Sequence, residues 1–152
     1  MIVVADASVL VAELLRKRGR ELLCHPDLRV MVAEEQWNET EYELERRLEL
    51  IVEQGRLTAK QAQLLQEAVQ GLIGERVIEI VPRAFYAHRE ALARRRVPRD
   101  LHDWPPVALA LTVDAGILTG DHDFLGCGCP TWTVETLRDE LGPPPADQAD
   151  AD

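Results

Sequence analysis

Very little in this chain invites a disulfide scaffold, a membrane span or a basic nucleic-acid sleeve. Cysteines number three, Cys24, Cys127 and Cys129. An odd count closes no disulfide framework, and Cys127-Gly128-Cys129 is spaced too tightly for the usual zinc pairs. Reduced structural thiols in a tight turn are the simpler expectation. No apolar run approaches the ~20 residues a membrane span needs, so no membrane partner is expected. No basic segment followed by a hydrophobic one opens the chain, and the expected location is cytoplasmic. Positive charge is scarce: 17 Lys and Arg face 27 Asp and Glu, for a net charge of −10. That balance argues against a generally basic nucleic-acid-binding surface. The four histidines (His25, His88, His102 and His122) are scattered and receive no ligand role, although His102 and His122 stand beside acids.

What is present fits one soluble globular domain. At 152 residues, with 46% hydrophobic and 29% charged residues, the chain is long enough to bury ~68–70% of its extended surface. The negative charge is uneven. Asp139, Glu140, Asp147, Asp150 and Asp152 carry half of the net charge in a closing stretch without a base. Residues 142–152, rich in proline and acid and without periodicity, read as a disordered tail behind a domain spanning 1–141. The one local basic stretch is Arg94-Arg95-Arg96-Val97-Pro98-Arg99, preceded by Arg83 and Arg89. It serves either as a helix end complementing its dipole or as a guide for phosphates.

Apolar runs and periodicity alternate between strand and helix. Strands are expected at 2–5, 28–32, 77–81, 117–119 and 131–133. Helices are expected at 9–15, 34–54, 57–72, 85–95, after Asp103 and at 134–141. Trp37, Leu44, Leu48 and Ile51 mark the buried stripe of the long helix, and Thr58 is placed as the cap of the next. Short strands alternating with helices imply an α/β fold with a parallel sheet covered on both faces. Ligands gather beyond the carboxyl ends of such strands, at the switch point. Asp6 and Asp121 fall on that edge.

The acids are not all alike. Asp6 between a strand and a helix is an ordinary N-cap position, and Asp121 and Asp123 in a polar turn mean little singly. Asp103 is sharper. The two amides its carboxylate would cap belong to Pro105 and Pro106, which have no N–H, so the carboxylate is free for another task. Glu35, Glu39 and Glu43 form a column at four-residue steps that repels by ~0.2–0.5 kcal/mol per pair. Arg47 relieves only its lower end. A metal near Glu39 or a solvated acidic face explains the column equally well. Carboxylates gathered at one sheet edge repel unless something positive sits between them, which makes a divalent cation the obvious candidate.

The residues Val4-Ala5-Asp6-Ala7-Ser8, Glu39, Asp103 with Ala108-Leu109-Ala110-Leu111, and Thr119-Gly120-Asp121-His122-Asp123-Phe124 follow one another in an order that resembles the PIN domain. The nearest likeness is to the toxin-type members of bacterial toxin–antitoxin pairs. Arg99-Asp100 with Asp103-Trp104-Pro105, and Gly126-Cys127-Gly128-Cys129-Pro130-Thr131-Trp132, look like one PIN subgroup, and the likeness runs to about Leu141. The resemblance implies a three-layer α/β/α sandwich with a short central parallel sheet. It implies a metal-dependent endoribonuclease acting with Mg²⁺ or Mn²⁺, on an RNA substrate. Asp6, Glu39, Asp103 and Asp121 would be catalytic; Asp6, Asp103, Asp121 and Asp123 would face the metal; Ser8 and Thr119 would orient them. Glu35 or Glu43 could stand in for Glu39. Arg95, Arg96 and Arg99 would meet phosphates. A cognate antitoxin and a homodimer are the further partners it implies.

Two alternatives remain open from the residues. One is a non-catalytic module of the same fold, holding RNA or protein while its acids serve as caps. The other is a different phosphate enzyme. A haloacid-dehalogenase-type site needs Asp-x-Asp directly after the first strand, where this chain has Asp6-Ala7-Ser8. A Toprim-type site wants a Glu on a preceding strand, and none is evident. Clustered carboxylates are expected to include at least one with a raised pKa.

Overall fold

A computed structural model describes residues 1–146. Five short strands form one sheet: β1 (Ile2–Ala5), β2 (Arg29–Ala33), β3 (Ile78–Val81), β4 (Gly116–Leu118) and β5 (Thr131–Trp132). All pairings are parallel and the order is β3-β2-β1-β4-β5. Val3 stands opposite Val30 on one side, and Val4 opposite Ile117 on the other. The apolar runs are continuous rather than alternating because both faces of this sheet are covered.

The pleat sends neighbours to opposite faces. Val3, Ala5, Val30, Val32 and Leu118 belong to one core, together with Leu10 and Leu14 of α1 (Ala7–Leu14), Leu22 and Leu23 of α2 (Lys17–Leu23), and Trp37, Leu44 and Leu48 of α3 (Glu34–Glu53). Val69 of α4 (Ala59–Gly74) and Leu137 of α8 (Val134–Leu141) complete it. Val4, Met31, Ala33 and Ile117 enter the second core. There they meet Tyr86 of α5 (Arg83–Tyr86), Ala93 of α6 (Glu90–Arg96) and Val107 to Ala110 of α7 (Trp104–Val113). The result is the three-layer α/β/α sandwich with a central parallel sheet.

Several local expectations shift. The predicted helix 85–95 is broken into α5, a 3-10 turn at Ala87–Arg89 and α6. The break lets Tyr86 bury completely, its ring 5.9 Å from that of Trp104. α2 is not expected from the sequence, because Lys17-Arg18-Gly19-Arg20-Glu21 lacks an apolar period. Its packing rests on Gly19, where a Cβ would come within 2.2 Å of the Glu13 carbonyl oxygen. Thr58 caps α4 as expected, in a reciprocal capping box with Gln61. Of the tail, residues 142–146 carry no helix or strand, and 147–152 lie outside the described residues.

Candidate metal centre

From β1 the chain travels outward through β2 to β3, then returns across the sheet to pair β4 with the free side of β1. The carboxyl ends of β1 and β4 therefore border the crevice where strand order reverses, the usual place for a ligand in an open α/β sheet. Asp6 is the residue after β1, and Thr119 the residue after β4.

A hydrogen-bonded chain runs across this edge. Asp6 caps α1, its Oδ1 accepting from the Val9 N–H at 2.9 Å. Its Oδ2 accepts from the Thr119 hydroxyl at 2.5 Å. The Thr119 oxygen in turn accepts from the Asp121 N–H at 2.9 Å, and Asp121 Oδ1 accepts from the Asp123 N–H at 2.8 Å. One threonine thus ties the Asp6 carboxylate to the backbone of Asp121 across the ends of β1 and β4.

Asp103 arrives from the N-terminus of α7. Its side chain makes no cap hydrogen bond, and prolines occupy the helix's first turn, as the missing amide donors require. Its Oδ2 is buried without any hydrogen-bond partner. Burial, followed by the charges of Asp100, Asp121, Asp6 and Asp123, pushes its carboxyl up to about 7. Asp6 is also raised, chiefly by burial and less by Asp121 and Glu39, against the lowering hydrogen bonds of Thr119 and Val9. Desolvation and like charge act together here, as they do where carboxylates share one site.

Carboxylate oxygens of Asp103, Asp121 and Asp123 lie within 4.8 Å of one another. Opposed ligands of an octahedral Mg²⁺ stand ~4.2 Å apart, and the ion keeps several waters. An all-oxygen donor set of that spread, one of whose residues also keeps an orphaned buried oxygen, fits a small hard dication directly or through water. Asp6 stands outside this trio, with both its oxygens accepting hydrogen bonds, but its charge is felt at Asp103. A cavity of about 490 Å³ opens over the acids and is lined by Asp6, Ser8, Glu39, Asp103 and Asp121 among others.

The column on α3 is resolved member by member. Glu35 is held by Arg83 at 2.5 Å and by the Tyr86 hydroxyl at 3.2 Å. Glu43 lies 3.8 Å from Arg46 and does not line the cavity. Glu39 is exposed and lines it. Ser8 is exposed at the rim, and its hydroxyl makes no hydrogen bond among the described residues. The three arginines separate. Arg95 is exposed; Arg96 donates to the Cys127 carbonyl and packs where a Gly128 Cβ would stand; Arg99 lies 3.5 Å from Asp123.

Gln36 is a site residue that the sequence motifs do not single out. It is buried, its Oε1 accepts from the Ala7 N–H at 2.8 Å and its Nε2 donates to the His102 carbonyl at 3.3 Å. It therefore ties the start of α1 to the loop carrying Asp103. A signal for it exists: Gln36, Thr40, Leu44 and Leu48 are one buried four-residue column of α3, and an amide heading an apolar column needs partners. Asp100, one turn before Asp103, also lines the cavity.

The family model described as PIN domain matches residues 4–142. No curated protein matches the chain. Among solved structures, the crystal structure of FitAcB from Neisseria gonorrhoeae aligns at 21% identity with a TM-score of 0.51. The alignment covers 87% of this chain and 96% of that one, and at that identity it shows a common fold.

Proposed function

The chain belongs to the PIN domain family, and from that premise we propose that it is a divalent-metal-dependent endoribonuclease. One observation carries the reading. Three carboxylates from two distant segments converge within 4.8 Å, and one of them keeps a buried oxygen with no partner. A structural cap satisfies its oxygens. Asp103 does not.

Asp103, Asp121 and Asp123 would hold Mg²⁺ or Mn²⁺, with Asp6 beside them. Such an ion, when bound, offers Lewis acidity toward a phosphate oxygen and acidifies water. The protein's own groups do the rest. Thr119 holds the Asp6 carboxylate and the Asp121 backbone through its two hydrogen bonds, and the Asp123 N–H holds the Asp121 carboxylate. Gln36 sets the distance between Asp6 and Asp103. Glu39, exposed on the cavity wall, faces solvent where an attacking water would stand and can take its proton. Ser8 offers a hydroxyl at the same rim. Arg99 beside Asp123, together with Arg95 and Arg96 farther along, supplies positive charge for the substrate backbone.

On this reading the protein acts in the cytoplasm. A neutralising antitoxin and a second copy of the chain are partners of the same proposal. No described helix is long and apolar enough to cross a membrane.

The test is calorimetric titration with Mn²⁺ alongside cleavage of a labelled single-stranded RNA, for the wild type and for Asp103→Asn. Acid-dependent Mn²⁺ binding and cleavage that both vanish in the variant support the proposal. Undiminished cleavage by Asp103→Asn overturns the site, and absence of Mn²⁺ binding by the wild type leaves a non-catalytic module.

A further inference from the structure

Beside the acidic cavity lies a second hollow of about 370 Å³, walled by Arg83, Arg94, Leu101 and Trp104. Glu35, Gln36, Glu39 and His102 wall both hollows, so the second adjoins the first. In the second, two guanidinium groups rest on one indole: Arg83 Cζ is 5.1 Å and Arg94 Cζ 5.2 Å from the Trp104 ring centroid. Trp104 is itself buried against Tyr86, which makes it a rigid platform. Glu90 accepts from Arg83 at 3.3 Å and from Arg94 at 2.9 Å, while Glu35 holds the other arm of Arg83.

This arrangement suits a phosphate better than a loose arginine would. The arginines are pre-positioned by ring and carboxylates, so binding orders few additional rotamers. Their side chains are still 52% and 43% exposed. Arg83 Nε and Arg94 Nη1 donate to nothing among the described residues. Leu101, 73% exposed, lines the second hollow, and the exposed His102 lines both. Glu35 and Glu90 balance the charge of Arg83 and Arg94. A strand with one phosphate at the acids would meet the free Arg83 Nε and Arg94 Nη1 as donors in the neighbouring hollow.

Resting on the nuclease reading above, we propose that Arg83 and Arg94, carried on Trp104, hold the phosphate next to the scissile one in a single-stranded RNA. Leu101 and His102 offer a face to the base between them. Arg83 lies outside the basic run 94–99, and it joins Arg94 only because α5 and α6 both pack on α7.

The test uses the full chain with Mn²⁺ and a labelled single-stranded RNA, comparing wild type, Arg94→Gln and the pair Arg83→Gln with Arg94→Gln. The pair should raise KM about fivefold with kcat within about twofold. The slope of log kcat/KM against log salt should become shallower by about 0.7 for each phosphate that is no longer neutralised. Arg94→Gln, which keeps the Glu35–Arg83 bond, should give a smaller rise of the same kind. Arg56→Gln, on the exposed turn after α3, should change neither value. An unchanged KM and salt slope in a wild-type-active background overturns the arginine subsite alone. A KM rise accompanied by weakened Mn²⁺ binding also overturns it, by showing that the arginines merely support the acids. A wild type that binds Mn²⁺ but cuts no RNA removes the nuclease reading and this proposal with it.

Discussion

Two regions of this molecule are rich in acid, and they behave differently. Along the α3–α4 hairpin, Glu41, Glu45 and Glu67 rim a groove of about 720 Å³ with Tyr42 and several glutamines. At the switch point, Asp6, Asp103 and Asp121 surround a smaller cavity of about 490 Å³. The hairpin acids ride along two helices at the surface, where water screens them and neighbours such as Arg46 and Gln63 meet them. The switch-point acids come from three separate places in the chain and converge, two of them with carboxyls raised by burial. Only the size of the hollow favours the hairpin, since six acids line the switch-point cavity against three in the groove. Convergence and an unsatisfied buried oxygen favour the switch point, and these are what a cation requires.

The sharpest way to break this contrast is to remove one acid from each region. Asp103→Asn should lower RNA cleavage by about 10³-fold, the scale of losing one preorganised electrostatic group at a reacting centre. Glu43→Gln on the hairpin should leave cleavage unchanged. Equal losses in single-turnover assays would erase the distinction.

The pH response should separate the regions next. With its carboxyl raised to about 7, Asp103 binds a proton in the folded state that it releases in the unfolded one between pH ~4 and ~7. The metal-free fold should therefore lose stability as pH rises through that window and level off above it. Because Asp103 is only partly buried, solvent screening reduces the effect to about 1 kcal/mol, visible as a falling Tm. Asp103→Asn should flatten the profile, and a profile equally steep in the variant would point to another group. Mn²⁺ affinity should climb about tenfold per pH unit below 7, since binding displaces that proton. Calorimetry across pH checks it.

Gln36→Leu tests whether convergence needs a clamp. It leaves the Ala7 N–H buried and unpaired, which should cost about 1–3 kcal/mol in urea unfolding. It should also lower kcat, because Asp6 and Asp103 lose their common tie; unchanged kcat would make Gln36 a purely structural residue. The smallest effect belongs to the hairpin. Glu43→Gln, removing one end of an exposed ion pair, should shift stability by less than about 0.5 kcal/mol.

The strands and most helices were legible in the sequence because their signals are local. The run Ile2 to Ala5 closes on an acid, Thr58 precedes Gln61 by the spacing of a capping box, and Pro105-Pro106 opens a helix. α2 was not legible, because it exists where Gly19 lets its backbone lie against Glu13. The break in helix 85–95 was not legible either, because it follows from burying Tyr86 on Trp104.

The site divides along the same line. Chemistry at Asp103 could be derived from sequence alone, since two missing amides are a covalent fact of proline. The column Glu35, Glu39 and Glu43 could not be sorted, because i, i+4 spacing makes its members equivalent on an isolated helix. Only Arg83 and Tyr86, brought across from α5, occupy Glu35 and leave Glu39 facing the cavity.

Local covalent structure therefore determined which segments fold as strands and helices and which carboxylate lacks a cap. Tertiary structure alone decided which acids meet, which arginines join Trp104 and which proton is held near neutrality. Those outcomes depend on distances and desolvation between segments as far apart as Asp6 and Asp121, and such quantities arise only when the sheet closes.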